Sequence, residues 1–157
     1  MEQYLHVTDQ DDDINLHDCK ATDIILNDDQ LSFVFRDGFY VMHDRSFDDE
    51  KLHKSDASMM TLHLVPESLA DDFTIYVFEE KKKETIRRAL SMDTLIELLR
   101  SQKAELEFLY LYKGYQSYLF QCMLCTDKKP YQHECVLLVQ ANGITYHWNN
   151  VLKNSVW

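Results

Sequence analysis

The stretch NLHDCKATDIILNDDQLSFVFRDGFYV, Asn15 to Val41, decides the fold class. Leu31, Phe33 and Phe35 alternate with Ser32, Val34 and Arg36. A period of two is the spacing of a strand, because successive side chains leave a strand on opposite faces. Asn27-Asp28-Asp29-Gln30 is a polar turn between residues 24–26 and 31–36, rich in side chains that bond back to their own backbone. Asp37-Gly38 is a second turn signal, leading into residues 39–42. The stretch predicts three antiparallel strands in succession. It also sets His17, Asp18 and Cys19 side by side, residue types common in active sites and metal sites.

The same periodicity recurs further on. Residues 59–65 place Met60, Leu62 and Leu64 on one face, and residues 73–78 place Phe73, Ile75 and Val77 on one face. Residues 43–58 read as a long polar loop. The mixed-sign run 79–84 reads as a solvated hairpin end or edge. Ser91 to Gln102 is the principal helix: Ser91 caps it, Asp93 suits its positive end, Leu95, Leu98 and Leu99 form one stripe, and Arg100 suits its negative end. Residues 85–90, before it, fit a short strand or an earlier helical turn. Strands return at 105–112, 115–126, 132–140 and 143–149. Lys113-Gly114 and residues 127–130 mark turns between them, and Asn142-Gly143 is the strongest hairpin signal in the chain.

Composition bounds the function. A chain of 157 residues, 45% hydrophobic, suits one domain with a sizeable core. Three glycines and two prolines leave little for linkers or glycine-rich phosphate loops. Sixteen basic against 27 acidic residues give a formal charge of −11, which repels phosphate backbones and suits a basic partner. No stretch reaches the ~18 apolar residues of a membrane helix. The acidic beginning, MEQYLHVTDQDDD, lacks the apolar segment of a secretory signal. Cys19, Cys122, Cys125 and Cys135 therefore read as reduced thiols of a cytosolic protein.

Five constellations could carry chemistry. Asp9, Asp11 and Asp13 resemble the opening of a calcium loop, but Ile14 and Lys20 stand where glycine and glutamate are needed. On a strand, His17 and Cys19 share a face, as a nucleophile pair requires, but lack an orienting third group and oxyanion donors. Asp18 then bonds a neighbouring turn and Cys19 is a small core residue. Cys122, Cys125, His133 and Cys135 have the composition of a zinc site, but in a strand residues three apart face opposite ways. His43, His53, His63 and His147, with Asp44, Asp48 and Asp49, show no metal-ligand spacing and read as surface residues. Tyr110, Tyr112, Tyr115, Tyr118 and Tyr146 have mostly apolar or uncharged neighbours, which points to core or protein-interface packing. Nucleophile-elbow, P-loop, dinucleotide and His-Glu-x-x-His signatures are absent.

LHDC at 16–19, a strand containing isoleucine, a polar turn and LSFVFRDGFYV at 31–41 resemble the opening of many small bacterial β-rich proteins. Those openings read Leu-His-Asp followed by Cys, Ser or Gly, then strand, turn and strand. Some such proteins resemble immunity proteins of polymorphic-toxin systems. The resemblance covers about a sixth of the chain and carries no functional residues with it.

The expected fold is one α+β domain over residues 1–157, with 1–13 a polar arm. It is mostly antiparallel β, about eight to ten strands in a strongly curved sheet or two packed sheets, with the helix against one face or end. The expected function is a non-enzymatic cytosolic protein-binding module, in its narrower form an immunity-type inhibitor of a basic toxin. Asp11, Asp12, Asp13, Asp48, Asp49 and Glu50 form its acidic patch, with Asp9, Asp71 and Asp72 as further charges to watch. The alternatives are a Cys/His enzyme at Cys19 and His17, and a zinc protein at Cys122, Cys125, His133 and Cys135. No cofactor, nucleic acid or membrane is expected, and the expected partner is a basic protein.

Overall fold

A computed structural model of the chain describes residues 3–42, 52–66 and 73–156, the last four of these by backbone alone. Its elements are β1 (His6–Thr8), a 3-10 turn (Asp11–Asp13), β2 (Ile14–Asn15), β3 (Cys19–Ala21), β4 (Asp23–Leu26), β5 (Gln30–Phe35), β6 (Tyr40–Val41), β7 (His53–Ser55), β8 (Ser58–Leu64), β9 (Thr74–Lys81), β10 (Glu84–Ala89), α1 (Met92–Arg100), β11 (Ala104–Gly114), β12 (Ser117–Thr126), β13 (Gln132–Trp148) and β14 (Val151–Val156). The architecture is α+β, mostly antiparallel β with one principal helix, as expected. The strands among the described residues exceed the eight to ten expected. The surplus is in two- and three-residue strands such as β1, β2, β6 and β7, too short to show a period.

The main sheet closes on itself. Its order is β3-β11-β12-β13-β8-β5-β4, and the two ends of that path are one chain segment interrupted only at Thr22. Cys19 pairs with Phe108 of β11, while the Thr22 N–H donates to the Val34 carbonyl of β5 at 2.8 Å. A ring of strands hides its backbone groups from unwanted pairing and encloses one face. Inside lie Phe33, Phe35, Phe108 and Phe120, all essentially buried. Phe33 and Phe120 each meet Phe108 edge to face, at centroid distances of 5.2 and 5.4 Å. That geometry sets the positive edge of one ring on the negative face of the next.

β13 holds the ring together. Residues 132–140 pair with β12 on one edge, and residues 135–138 pair with β9 on the other. Residues 141–147 pair with β8, and 146–148 with β1. The Gln140 carbonyl accepts from Val65, while the next amide, Ala141, donates to Gln116 before β12. The two ends of one peptide point in opposite directions, so β8 follows β9's edge and β1 follows β12's.

Two readings of the sequence are corrected. Asn142-Gly143 closes no hairpin; β13 runs straight through it, with a register shift between Ala141 and Gly143. The residues on either side of it already have other partners, so they cannot pair with each other. Asp37-Gly38 joins no third strand to β4 and β5. It carries the chain into a second sheet, β14-β7-β6-β2, which also occupies part of the expected loop at 43–58. The N-terminal arm is docked: β1 pairs with β13, and the 3-10 turn follows it.

The helix matches expectation to within two residues. The Ser91 hydroxyl accepts from the Thr94 amide, and Met92, Leu95 and Leu99 are buried. Its end is a Schellman closure: Lys103 donates to Leu98, Gln102 donates to Leu99, and Gln102 takes φ 62° where glycine is usual. The Arg100 guanidinium reaches Asp23 and the Ile24 carbonyl, both at 2.9 Å, tying the helix to β4.

The glycines provide a test. Gly38 has φ 76°, and a Cβ there would lie 2.0 Å from the Ser55 carbonyl oxygen. Gly143 has nothing within 4 Å of a built Cβ and no positive φ. Gly38→Ala is therefore expected to lower unfolding free energy by about 2–4 kcal/mol, from backbone strain plus overpacking. Gly143→Ala should stay within about 1 kcal/mol of the natural chain. Urea denaturation of both variants checks the difference.

Candidate interaction face and the pocket beside it

Cross-strand register sorts the side chains of β11, β12 and β13 into two faces. One transverse row, Cys19–Phe108–Cys122–Cys135–Val77, points inward and is buried throughout. The inward series breaks at Leu109, where the β11–β12 register shifts between Phe108 and Tyr110. Such a bulge moves every later residue to the opposite face. Tyr110 therefore pairs with Gln121 and Tyr112 with Leu119, both on the outer side. Leu119 in turn pairs with Leu138 of β13. Tyr110 and Tyr112 are each 54% exposed, Leu138 is 37% exposed, and Tyr115 at the hairpin tip is 90% exposed. Glu107 pairs with Met123, and Met123 with Glu134, so carboxylates continue the same face beside the aromatic rows. Glu105 extends it by a further row.

A pocket of about 470 Å³ opens beside this face, between the 3-10 turn, residues 14–17 and β11. Phe108, Phe120 and Leu111 contribute apolar lining. Asp11 holds its rim together: one carboxylate oxygen accepts from the Tyr146 hydroxyl at 2.7 Å, and the other pairs with the Lys113 ammonium. Burial pushes the Tyr146 hydroxyl well above its ordinary range, so it stays a donor. The Tyr146–Asp11 bond spans 135 residues of sequence. Its one sequence signal is Tyr146 on the inward positions with Ile144 and Trp148, since a buried tyrosine hydroxyl needs a partner.

The expected acidic patch is thus partly consumed inside the protein. Asp11 is paired as above, and Asp13 accepts from Thr8 at 3.2 Å. Asp12 is exposed and lines the pocket. Asp48, Asp49 and Glu50, with Asp71 and Asp72, lie outside the described residues, as do His43 and Asp44. Sequence alone missed the carboxylates that do share the tyrosine face, Glu105, Glu107 and Glu134.

His17 and Cys19 do not share a strand face. Residues 16–19 form a turn closed by Cys19 N–H to the Leu16 carbonyl, with Asp18 at φ 65° in its second central position. The strand starts only at Cys19. The His17 ring pairs with Asp18 at 3.1 Å and meets the Tyr110 ring edge-on, at the pocket. The Cys19 thiol points at the backbone carbonyls of Asn15 and His17 instead. Burial pushes its pKa up to about 11.

The four ligands of the alternative zinc site do not converge. Cys122, Cys135 and His133 belong to the inward register, whereas Cys125 faces outward beside Glu107. Among the described residues no three His, Cys, Asp or Glu side chains form a metal-binding group. Burial raises Cys122 well above its ordinary value and Cys135 to about 12. His53 is buried, against the expected surface position, and His63 bonds Thr145 at 2.6 Å.

Among the described residues no helix is long and apolar enough to cross a membrane. Comparison with protein-family models, with curated proteins and with solved structures finds no match.

The cysteines yield a prediction. Thiolates react, and thiols held protonated by burial do not. Iodoacetamide at neutral pH should label the folded protein slowly and at Cys125 first, and all four cysteines in denaturant. Mass spectrometry reads the sites; Cys19 labelled as fast in the folded as in the unfolded chain contradicts the geometry.

Proposed function

We propose that the chain is a non-enzymatic cytosolic protein-binding module, and in its narrower form an immunity-type inhibitor of a basic toxin. The observation that carries the reading is the bulge at Leu109. It turns Tyr110 and Tyr112 out of the core and sets them beside Leu119 and Leu138 on an exposed sheet face. Contiguous exposed apolar side chains on a folded protein favour a protein contact, and tyrosine combines large contact area with little entropy to lose. Glu105, Glu107 and Glu134 on the same face, within a chain of net charge −11, select a basic partner and speed encounter with it. The Leu-His-Asp-Cys opening supports the narrower form through its resemblance to small bacterial β-rich proteins, some of which resemble immunity proteins.

The test begins with capture of a partner from the native host at low salt, followed by association kinetics against that partner. Tyr112→Ser should weaken binding at least about tenfold, chiefly through faster dissociation. Glu107→Lys with Glu134→Lys should slow association and flatten its dependence on salt. The inhibitor form further requires that the partner expressed alone arrests growth and that co-expression of this chain relieves the arrest. A partner whose kinetics ignore all three substitutions contradicts the assignment of this face.

A further inference from the structure

We infer that β10 is a self-association edge, through which two copies of this chain join their sheets about a twofold axis centred on Ile86. The inference is independent of the tyrosine face and rests on the hairpin of β9 and β10. Among the described residues β10 pairs with β9 alone, and all six of its residues are exposed. Ile86 is 41% exposed.

Hydrogen-bond alternation fixes which backbone groups are free. Leu90 donates its N–H to the Ile75 carbonyl, just beyond the Ala89–Tyr76 pair. In an antiparallel ladder that bond marks Ala89 as a residue whose own N–H and C=O face away from β9. By the same alternation Thr85 and Arg87 face outward, and Glu84, Ile86 and Arg88 face β9. Two copies can therefore bond only where outward residues meet outward residues. That condition requires an axis passing through a residue, never between two.

Charge then selects among the permitted axes. An axis at Arg87 or Arg88 sets two identical guanidinium groups directly opposite each other, which is destabilising. An axis at Thr85 overlaps little of the strand. The axis at Ile86 pairs Ile86 with Ile86, Thr85 with Arg87, and Glu84 with Arg88 on both sides of the centre. Thr85 and Arg87 then exchange backbone hydrogen bonds with Arg87 and Thr85 of the second copy. Glu84, Ile86 and Arg88 share one face, so the apolar contact is flanked at both ends by opposite charges. Arg88 already holds Glu79 at 3.2 Å, and its fork of donors leaves room for a second carboxylate. Charged side chains on an exposed edge ordinarily discourage pairing. Here they reject the registers centred on Arg87 and Arg88 and favour the one centred on Ile86.

Sedimentation velocity of the full chain, from micromolar to millimolar concentration, tests this. The natural chain should show a concentration-dependent monomer–dimer equilibrium. Glu84→Arg alone and Arg88→Glu alone should each raise the dissociation constant at least about tenfold, by setting like charges opposite each other. An equal mixture of the two variants should recover the dimer, because positions 84 and 88 then carry arginines in one copy and glutamates in the other. Thr85→Pro, which removes an outward donor and leaves the bonds to β9 intact, should also dissociate it. Circular dichroism confirms that each variant is folded. A chain that stays monomeric throughout overturns the inference, whether the edge is then free or taken by a strand of another protein. A dimer indifferent to the single substitutions, or single variants that fail to recover on mixing, overturns it equally.

Discussion

Closure of the main sheet by residues 19–26 is the constraint on which the rest depends. This segment bonds β11 at one end and β5 at the other, so two halves of the sheet that are distant in sequence share a single strand. The closed interior is what excludes water from Phe33, Phe108 and Phe120, and their burial is the main favourable term in such a fold. It also keeps Cys19, Cys122 and Cys135 as protonated thiols, packed as small apolar groups. The turn at Leu16–Cys19 serves the same end: its left-handed Asp18 aims an amide at the Phe108 carbonyl and delivers Cys19 into register.

Two irregularities give the closed sheet its outward character. At Asn142 the register shift lets β13 change partners while remaining one strand, so the ring and the outlying β1 and β9 are built on a common axis. At Leu109 the shift exchanges inside for outside. Phe108 stays in the core, and Tyr110 and Tyr112 emerge beside Leu119 and Leu138. Such irregularities locally re-aim side chains, and on β11 the result is an aromatic surface bordered by carboxylates. The neighbouring pocket is fixed by Asp11, whose carboxylate joins Tyr146 and Lys113 across three separate elements.

Elements governed by local periodicity were legible in the sequence. The alternation in β5 and β8, the leucine stripe and cap of α1, and the opposed faces of Cys122 and Cys125 all follow from spacing alone. What spacing could not supply was pairing. Asn142-Gly143 has the chemistry of a hairpin turn, but its flanking residues are held by β8, β9 and β12. Strict alternation from Leu106 and Phe108 would also bury Tyr110 and Tyr112; only the register against β12 shows where it fails. Asp11 belongs to an acidic run that looks free in sequence, because its partners lie 102 and 135 residues away. The two- and three-residue strands of the second sheet carry no period at all.

Native-state hydrogen exchange tests the closure directly, because it reports the opening of individual backbone bonds. The decisive amides are Asp18, which donates to Phe108, and Thr22, which donates to Val34. If residues 19–26 close the ring, both amides should exchange as slowly as those of Phe120 and Leu137 in the central strands. Exchange of Asp18 and Thr22 as fast as the exposed amides of the Lys82-Lys83 turn would show an open sheet and contradict the account.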